Sequence, residues 1–335
     1  MKAVFFDCDK KTEDFICQNK IDGVDIISYP FSLNQSDKIE NKDDIDIISV
    51  FVHSENIDNN ILDLYPNLKM ITTRSTGFNH IDLSYTKKRG IFVCNVPNYG
   101  EITVAEFTFG LILGLSRKIY KAKSNMKTAT LMPDGYIGKD LSGSVLGIIG
   151  TGAIGRHVAK LATAFGMKVI AFDPHPNKLA SDMGVTYVSL DELFYSSDVI
   201  SLHCPATNEN YHMLDKAAFE TMKDGVLIIN TARGSLIDTD ALYQAIISGK
   251  VGGAGLDVLE SEDILMHREI TATASAKNNT DFLDSLINMR MMQLDNTIIT
   301  PHIAFNSENA LVRILQTTYD NIRFFKDGKP QNRVD

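Results

Sequence analysis

A glycine-rich turn between strand-like and helix-like runs restricts the fold of this chain more than any other feature. The G-x-G-x-x-G turn at 150–155 follows the apolar run Val145–Ile149 and leads into the apolar-periodic segment Ala153–Phe165. A second strand-like run, Lys168–Phe172, ends at the acid Asp173. Because dinucleotide-binding turns have this strand–turn–helix–strand order, the pattern predicts a βαβ unit in a parallel sheet.

Each position of the turn requires glycine for a different physical reason. Gly150 allows the tight turn, Gly152 lets the backbone approach a pyrophosphate, and Gly155 lets the helix pack closely on the strand. The first helical residues, Ala153 and Ile154, would offer N–H groups and partial positive charge to the phosphates. A structural turn without a ligand is the alternative, which the complete strand and helix context disfavours.

The acid at the end of the second strand predicts which dinucleotide is bound. Asp173 lies 18 residues after Gly155. Its carboxylate would accept hydrogen bonds from the adenosine ribose hydroxyls and repel a 2′-phosphate. The sequence therefore predicts NAD rather than NADP as the cofactor.

Size and charge limit the class of protein. The 335 residues are enough for two substantial cores, since single domains cluster near ~100–200 residues. A formal net charge of -9 argues against nucleic acid or an anionic membrane as the partner. No apolar run approaches the ~20 residues of a membrane span, and the amino terminus does not resemble a signal peptide, so we expect a cytoplasmic protein.

Four dispersed cysteines without metal-site spacing are predicted to be reduced core thiols: Cys8, Cys17, Cys94 and Cys204.

Strand-like and helix-like segments alternate along most of the chain. Such alternation predicts an α/β protein with two Rossmann-like parallel-sheet domains, namely a flavodoxin-like substrate domain and an inserted dinucleotide-binding domain. The segment Asn306–Asp327 is predicted to be a helix that packs back on the first domain. The predicted domains are therefore 1–100 with 302–335, and 101–301, with a cleft between them.

Three further segments are assigned from local signals. The run TVAEFTFGLILGLSRKIY is predicted to be one long helix, with Thr103 and Glu106 at the spacing of a capping box. Phe282–Met292 has helical periodicity, and its methionines are expected to fill gaps in the core rather than form an interaction surface. The small, polar stretch Thr271–Thr280 is predicted to be an exposed loop.

Three side chains suited to carbonyl chemistry follow strand-like runs. Arg233 comes after VLIINT, Glu262 after GGAGLDV, and His302 after TIIT. Since ligands bind beyond the carboxyl ends of parallel strands, we expect these side chains at one rim of the sheet. Each of them alone is more often structural. Their combination with a dinucleotide turn indicates proton and hydride chemistry on a small anionic carbonyl compound.

The chemistry assigns a task to each group. The guanidinium of Arg233 can grip a carboxylate with two hydrogen bonds, and the imidazole of His302 can exchange a proton near neutral pH. An acid would orient the imidazole and favour its protonated form. Periodicity leaves Glu260 and Glu262 equally suitable as that acid.

At this point the chain is seen to resemble the D-isomer-specific 2-hydroxyacid dehydrogenases, nearly from end to end. The ordered arginine, glutamate and histidine set is specific to that family. The motifs that carry the resemblance are RSTGFNHIDL (74–83), VPNYGEITVAEFT (96–108), GTGAIG with Asp173, LHCPATNENYHML (202–214), NTARGSLID (230–238), GLDVLESE (255–262) and TPHIAF (300–305).

The resemblance implies a role for each residue of the site. His302 would be the acid/base, paired with Glu262 rather than Glu260, and Arg233 would bind the substrate carboxylate. The remaining implied contacts are to substrate through backbone amides of Ser75, Thr76 and Gly77, and to cofactor through Cys204, Pro205, Thr231, Ala232 and Asp257.

Substrate size is predicted from smaller features. Tyr99, Phe305 and the ending GKPQNRV are most similar to the D-lactate dehydrogenases of the family, and aromatic walls favour a small keto acid. We therefore expect a homodimer that reduces pyruvate to D-lactate with NADH. The formate branch of the family carries Gln at the position of Glu262, which disfavours formate as the substrate.

Other activities remain as alternatives. Asn306 stands where lactate enzymes commonly carry an aromatic or threonine-type residue, and Thr271–Thr280 has no match. Reductases of hydroxypyruvate or glyoxylate, of branched 2-keto acids and of phosphoglycerate therefore stay open. A non-enzymatic, NAD-sensing corepressor scaffold is disfavoured, because the chain is compact and acidic and shows no extra recognition segment.

Overall fold

The computed structural model describes residues 1–51, 57–126, 134–262 and 279–335. The chain divides into two compact units, which we call unit 1 (Met1–Tyr99 with Ser307–Asp335) and unit 2 (Gly100–Asn306). Each unit contains a parallel sheet with its own hydrophobic core. In the described ranges, no helix has both the length and the apolar character needed to cross a membrane.

Strands and helices alternate in both units. The strands are β1 (Lys2–Phe5), β2 (Asp25–Ser28), β3 (Ile47–Val50), β4 (Met70–Thr73), β5 (Phe92–Cys94), β6 (Val145–Ile149), β7 (Lys168–Phe172), β8 (Thr186–Tyr187), β9 (Val199–Leu202), β10 (Val226–Asn230), β11 (Val251–Leu256) and β12 (Thr297–Ile299). The helices are α1 (Lys10–Gln18), α2 (Asn59–Leu62), α3 (Leu83–Arg89), α4 (Glu101–Ser116), α5 (Ile119–Asn125), α6 (Ala153–Ala164), α7 (Lys178–Asp182), α8 (Leu190–Ser196), α9 (Lys216–Thr221), α10 (Thr239–Ile247), α11 (Asn279–Met291) and α12 (Glu308–Lys326).

Unit 1 has a five-stranded sheet in the order β2-β1-β3-β4-β5. All its strand pairs are parallel, and this order is that of flavodoxin-like folds. Every residue of β3 and β4 is buried, which is why the sequence shows continuous apolar runs instead of alternation. The carboxyl-terminal helix α12 packs on this sheet through Tyr319 and Ile322. The predicted return of the chain is observed.

Unit 2 has a seven-stranded parallel sheet in the order β12-β11-β10-β9-β6-β7-β8. The strand order reverses direction between β6 and β9, and ligands of doubly wound sheets bind at such a switch point. The glycine-rich turn comes directly after β6. The two-domain α/β fold predicted from the sequence is confirmed.

The boundary after the dinucleotide-binding domain differs from the predicted one. Unit 2 extends to Asn306, whereas the sequence placed the boundary before His302. Hydrogen bonds to Asp257, at the end of β11, explain the difference. The amide of His302 donates to the Asp257 carbonyl (2.9 Å), and the amides of Ile303 and Ala304 donate to its carboxylate (2.9 and 2.8 Å).

The long helix predicted after residue 100 differs in two ways. It begins at Glu101 with Gly100 as its N-cap and without a side-chain cap, so the capping box of Thr103 and Glu106 is wrong. The helix also ends at Ser116, because Lys118 takes a left-handed conformation (φ 53°) and α5 starts after it. The first turn begins early because the Gly100 carbonyl already accepts the amide of Val104 at 2.7 Å.

Two expectations about burial are only partly correct. Met291 is buried, but Met289 and Met292 are exposed, so the gap-filling prediction holds for one of the three. Cys17 is exposed, which makes the core prediction wrong for this thiol. Its neighbours Phe15 and Ile16 pack on the core instead. The predicted loop Thr271–Thr280 lies outside the described residues up to position 278, and its last two residues begin α11.

Candidate active site

The structure pairs His302 with Glu262. The Nδ1 atom of His302 lies 3.0 Å from Oε1 of Glu262, and both side chains are about three-quarters buried, with 23% and 25% exposed. The other oxygen, Oε2, accepts the amide of Leu259 at 3.1 Å. An ionised carboxylate in this position accepts the Nδ1 proton, which leaves Nε2 as the ring atom that can exchange a proton with a ligand.

Electrostatics keep the glutamate ionised. Burial alone would raise the pKa of Glu262, but the hydrogen bond and charge of His302, the Leu259 amide and the charge of Arg233 together lower that pKa below its ordinary value. The contribution of Arg233 shows that the three predicted side chains belong to one electrostatic group. All three lie in unit 2.

Asp257 anchors the loop that carries His302. Its Oδ1 accepts the Thr300 hydroxyl at 2.6 Å and the Ile303 amide at 2.9 Å, while Oδ2 accepts the Ala304 amide at 2.8 Å. Burial raises the pKa of Asp257 in spite of these bonds. The sequence predicted a cofactor contact for this residue and missed the anchoring, although an acid at a strand end facing a Thr-Pro-His turn could have indicated it.

The Arg233 turn is held by an asparagine that the sequence reading missed. At the end of β10, Nδ2 of Asn230 donates to the Arg233 carbonyl at 2.8 Å, and its Oδ1 accepts the Ala232 amide at 2.9 Å. The guanidinium Nη1 donates to the Ala232 carbonyl at 2.7 Å. Thr231 contacts Thr108 of α4 through their hydroxyls at 3.1 Å. The side chain of Asn230 therefore fixes the backbone of the whole turn.

Gly234 lets the Arg233 turn and the Glu262 loop approach each other. A Cβ atom at this position would lie 2.1 Å from the carbonyl carbon of Leu259 and 2.3 Å from the amide nitrogen of Glu260. No side chain fits there without movement of the backbone. The close approach brings the two loops together at one end of neighbouring strands.

Glu260 has a different partner. Its carboxylate oxygens lie 2.9 Å from Nε2 of His212, and one of them accepts the Tyr211 hydroxyl at 3.1 Å. Its carbonyl accepts Nδ2 of Asn288 from α11 at 3.0 Å. The two glutamates that periodicity could not distinguish thus hold the same loop through different contacts.

The glycine-rich turn has the space that a dinucleotide needs. Gly150 is left-handed (φ 96°), and a Cβ there would lie 2.7 Å from the amide of Cys204. A Cβ on Gly155 would lie 2.0 Å from the carbonyl oxygen of Gly150, whereas one on Gly152 would meet no described atom within 4 Å. The turn is therefore closed on the protein side and open at Gly152, where helix α6 presents its N-terminus at Ala153 and Ile154. The residues present fit a bound pyrophosphate.

Asp173 closes the other side of the turn. Its Oδ2 accepts both the amide and the hydroxyl of Thr151, at 2.7 and 2.9 Å, and its Oδ1 accepts the amide of His175 at 2.9 Å. Burial opposes ionisation, but these hydrogen bonds lower the pKa of Asp173 below its ordinary value. The residue is a fixed anion beside the turn.

Cys204 and Pro205 follow β9, and the backbone of His203 and Cys204 lies against Gly150. Burial raises the pKa of the Cys204 thiol to about 11, so this thiol is protonated at neutral pH. The Pro205 carbonyl accepts Nδ2 of Asn210 at 2.8 Å. Within the described residues, Nδ1 of the preceding His203 is buried without a hydrogen-bond partner, and burial lowers the pKa of its ring to about 3. An orphaned polar atom next to the turn also fits a ligand site.

The predicted substrate residues are divided between the units. Ser75, Thr76 and Gly77 follow β4 in unit 1, where the Ser75 hydroxyl donates to the Gly77 carbonyl at 2.6 Å and the Thr76 hydroxyl donates to the Val96 carbonyl at 3.0 Å. Tyr99 ends the first segment of unit 1, and its carbonyl accepts Nε of Arg313 at 2.8 Å. Side-chain hydrogen bonds thus leave the 75–77 backbone well fixed.

Phe305 lies in unit 2, close to the proposed acid/base. Its ring centroid is 6.4 Å from that of His302, in an edge-to-face arrangement. The side chain is 9% exposed. The structure therefore places this predicted wall beside the imidazole.

A model of a known protein family matches more than half of the chain. Residues 109–304 match the family described as D-isomer specific 2-hydroxyacid dehydrogenase, NAD binding domain. The matched range includes the glycine-rich turn, Arg233, Glu262 and His302. The prediction of NAD as the cofactor is thereby confirmed.

Individual relatives cover most of the chain. It is 41% identical over 262 residues to the D-lactate dehydrogenase of Escherichia coli, covering 78% of this chain and 77% of that protein. It is 41% identical over 254 residues to the hydroxypyruvate reductase of Thermotoga maritima, covering 76% of each. The solved D-lactate dehydrogenase of Aquifex aeolicus, complexed with NAD and lactic acid, superposes with a TM-score of 0.83 and 37% identity, covering 98% of this chain and 96% of that one.

Proposed function

Because this chain belongs to the D-isomer specific 2-hydroxyacid dehydrogenase family, we propose that it reduces pyruvate to D-lactate with NADH. The observation that carries the proposal is the 3.0 Å contact between His302 and Glu262 beside Arg233. The family membership makes the protein an NAD-dependent oxidoreductase of 2-hydroxy acids. The substrate and the roles of the individual residues are the proposed part.

His302 acts as the acid in reduction. Glu262 holds the Nδ1 proton, so the imidazolium carries its transferable proton on Nε2 and gives it to the substrate oxygen as the carbonyl is reduced. Through the same hydrogen bond, ionised Glu262 fixes the plane of the ring. In the oxidation of D-lactate, neutral His302 takes the proton back at the same nitrogen.

Arg233 binds the carboxylate of the substrate. One guanidinium nitrogen is used by the Ala232 carbonyl, and the remaining N–H groups can form a two-pronged contact with a carboxylate. The family resemblance implies further carboxylate donors in the backbone amides of Ser75, Thr76 and Gly77. Aromatic side chains at Tyr99 and Phe305 limit the space around C3 and favour a methyl group.

The cofactor is held by residues around the glycine-rich turn. When bound, the reduced nicotinamide supplies the hydride. The open backbone at Gly152 and the N-terminus of α6 bind the pyrophosphate, and Asp173 binds the adenosine ribose and disfavours a 2′-phosphate. Further contacts come from the strand-end residues Cys204, Pro205, Thr231, Ala232 and Asp257.

A panel of 2-keto acids tests the substrate. We expect the highest kcat/KM with pyruvate, lower values with hydroxypyruvate, glyoxylate and branched 2-keto acids, and a strong preference for NADH over NADPH. A clear preference for hydroxypyruvate would support the second candidate, which the Thermotoga maritima relative favours. Absence of NADH oxidation with every keto acid would overturn the proposal.

Assembly and location belong to the proposal too. We infer a homodimer packed through the cofactor domain, as the family resemblance implies, and a cytoplasmic location from the composition. Sedimentation equilibrium across a concentration series tests the first inference, since a single species with the mass of one 37.2 kDa chain would contradict it.

A further inference from the structure

The Asp173 carboxylate is part of a chain of hydrogen bonds. Within the described residues, three donors reach it: the Thr151 amide and hydroxyl on Oδ2, and the His175 amide on Oδ1. A carboxylate offers about four lone-pair positions. Oδ2 is therefore fully used, and Oδ1 keeps one position for a further donor such as a ribose hydroxyl.

The direction of the chain follows from the anion. Ionised Asp173 can only accept, so the Thr151 hydroxyl must donate its single proton to it. The Thr151 oxygen then accepts the proton of the Tyr187 hydroxyl, which lies 2.8 Å away. The Tyr187 oxygen in turn accepts the amide of Asn177 at 2.7 Å, and its contact with the Asn177 carbonyl is longer, at 3.3 Å.

The participating residues lie in or next to strands and a helix of unit 2. Thr151 follows β6, Asp173 follows β7, and Tyr187 is in β8, which are three neighbouring strands of one parallel sheet. Asn177 is the N-cap of α7. Thr151 is 2% exposed, and the ring of Tyr187 packs on the core of unit 2. A hydroxyl held in this way restricts the rotation of the carboxylate at the end of the chain.

We propose that Tyr187 is a positioning residue for cofactor discrimination, because its hydroxyl, acting through Thr151, fixes the Asp173 carboxylate in the orientation that binds a free ribose 2′-hydroxyl. The inference rests on the proposed contact of Asp173 with the adenosine ribose. Without the Tyr187 hydroxyl, the Thr151 oxygen no longer accepts a hydrogen bond from Tyr187. The Thr151 hydroxyl can then rotate away from Oδ2 of Asp173. The Asp173 carboxylate then turns more freely and binds the ribose less well. A 2′-phosphorylated ligand does not use the original orientation, so its binding changes little.

Binding of two matched ligands tests the inference without turnover. Isothermal titration of ADP-ribose and 2′-phospho-ADP-ribose gives the Kd of each, and the ratio of the two measures discrimination. For Tyr187→Phe we expect the Kd of ADP-ribose to rise about five-fold, the size of one net hydrogen bond, with little change for the phosphorylated ligand. The ratio of kcat/KM for NADH and NADPH should fall by the same factor, mainly through KM.

Further variants separate this role from a general loss of structure. Thr151→Val should lower the discrimination as Tyr187→Phe does, Thr151→Ser should keep it, and the double variant Tyr187→Phe/Thr151→Val should add little. Tyr243→Phe, which removes the hydroxyl of a half-buried tyrosine on α10, is the matched control and should leave both Kd values unchanged.

The outcomes distinguish two failures. Equal rises in both Kd values for Tyr187→Phe, or no change in either, would overturn the positioning role. Asp173→Asn tests the underlying contact, since it should abolish the preference for ADP-ribose. If Asp173→Asn leaves the ratio unchanged, the proposed ribose contact is wrong, and if only Tyr187→Phe leaves it unchanged, the contact stands and the relay fails.

Discussion

At the scale of single residues, the backbone at His302 decides which substitution can test proton transfer. The residue has a φ of 53°, in the left-handed region that asparagine and histidine tolerate better than most side chains. An alanine at this position would add backbone strain of about 1 kcal/mol to the loss of the imidazole. Asparagine is therefore the cleaner replacement.

We expect His302→Asn to lower kcat for pyruvate reduction by at least ~10²-fold, because the proposed general acid is lost. The protein should still fold, since Asp257 anchors the loop through Ile303 and Ala304, but the thermal midpoint should fall because Glu262 loses its ion-pair partner. Steady-state kinetics with calorimetry on each variant measure both effects. His157→Asn on α6 is the control, and full activity in His302→Asn would remove the residue from the mechanism.

The lowered pKa of Glu262 predicts that the stability of the fold depends on pH. Burial raises the pKa of Glu262, but His302 and the other partners lower it by more than burial raises it. The net pKa lies below the ordinary value, so folding favours the ionised carboxylate. Its contribution to the free energy of unfolding is complete above the ordinary glutamate pKa of ~4.3 and is lost as the pH falls through the lowered value. The difference in unfolding free energy between the parent and Glu262→Gln should therefore shrink below about pH 4.3. Urea unfolding from pH 7 to 3.5 measures it, and a difference independent of pH would contradict the ion pair.

The lack of space around Gly234 predicts that a side chain at this position would disturb the site. In Gly234→Ala the new Cβ must displace the backbone of Leu259 and Glu260, which moves Glu262 relative to Arg233. We expect kcat/KM to fall on the order of 10- to 100-fold. Gly110→Ala is the matched control, because its Cβ meets no described atom within 4 Å on the exposed face of α4. That change should leave kinetics unaltered and stabilise the fold by about 0.5–1 kcal/mol. Equal kinetics in the two variants would argue against the close approach.

At the scale of elements, the break between α4 and α5 depends on one strained residue. Lys118 is left-handed (φ 53°) without being glycine, which costs about 1 kcal/mol. We expect Lys118→Gly to raise the free energy of unfolding by about 0.5–1 kcal/mol, whereas Lys123→Gly, inside α5, should lower it by about 1 kcal/mol. Chemical denaturation of both variants measures the two opposite signs. The same sign in both would mean that the break does not require this conformation.

Helices and strands can be predicted from the sequence where their burial requires a regular pattern of apolar residues. Buried parallel strands appear as continuous apolar runs, so β3, β4 and the β6–α6–β7 unit are predictable, and the glycine spacing identifies the turn. The two-residue strand β8 gives too short a signal. The left-handed residue Lys118 resembles any other helix-forming lysine in the sequence.

The choice between Glu260 and Glu262 could not come from periodicity. The two residues are separated by one position, and Ser261 between them is left-handed (φ 56°), so no regular alternation applies to this loop. Each glutamate finds a histidine, Glu262 at His302 and Glu260 at His212, through contacts that join distant parts of the chain. Only the folded arrangement, or family resemblance, distinguishes them.

At the scale of the whole molecule, cofactor binding and folding are linked. A ligand that binds only the folded state at about 100 times its Kd stabilises a protein by ~2.7 kcal/mol. We expect NADH at that excess to raise the calorimetric midpoint, with added hydrogen-exchange protection centred on residues 150–156 of unit 2. NADPH at the same concentration should have a smaller effect, and equal midpoints with and without NADH would contradict the cofactor site.

The boundary at Asn306 has a consequence for how such enzymes can be recombined. The cofactor turn, Arg233, Glu262 and His302 are encoded in one uninterrupted stretch, Gly100–Asn306, while Ser75–Gly77 and Tyr99 come from the preceding segment, Met1–Tyr99. A crossover between genes after codons 99 and 306 would transfer the cofactor turn and the three proposed catalytic residues together. A crossover after codon 301 would separate His302 from Asp257, the residue that anchors its loop, and the resulting chimera would inherit a histidine from one parent and its anchor from the other.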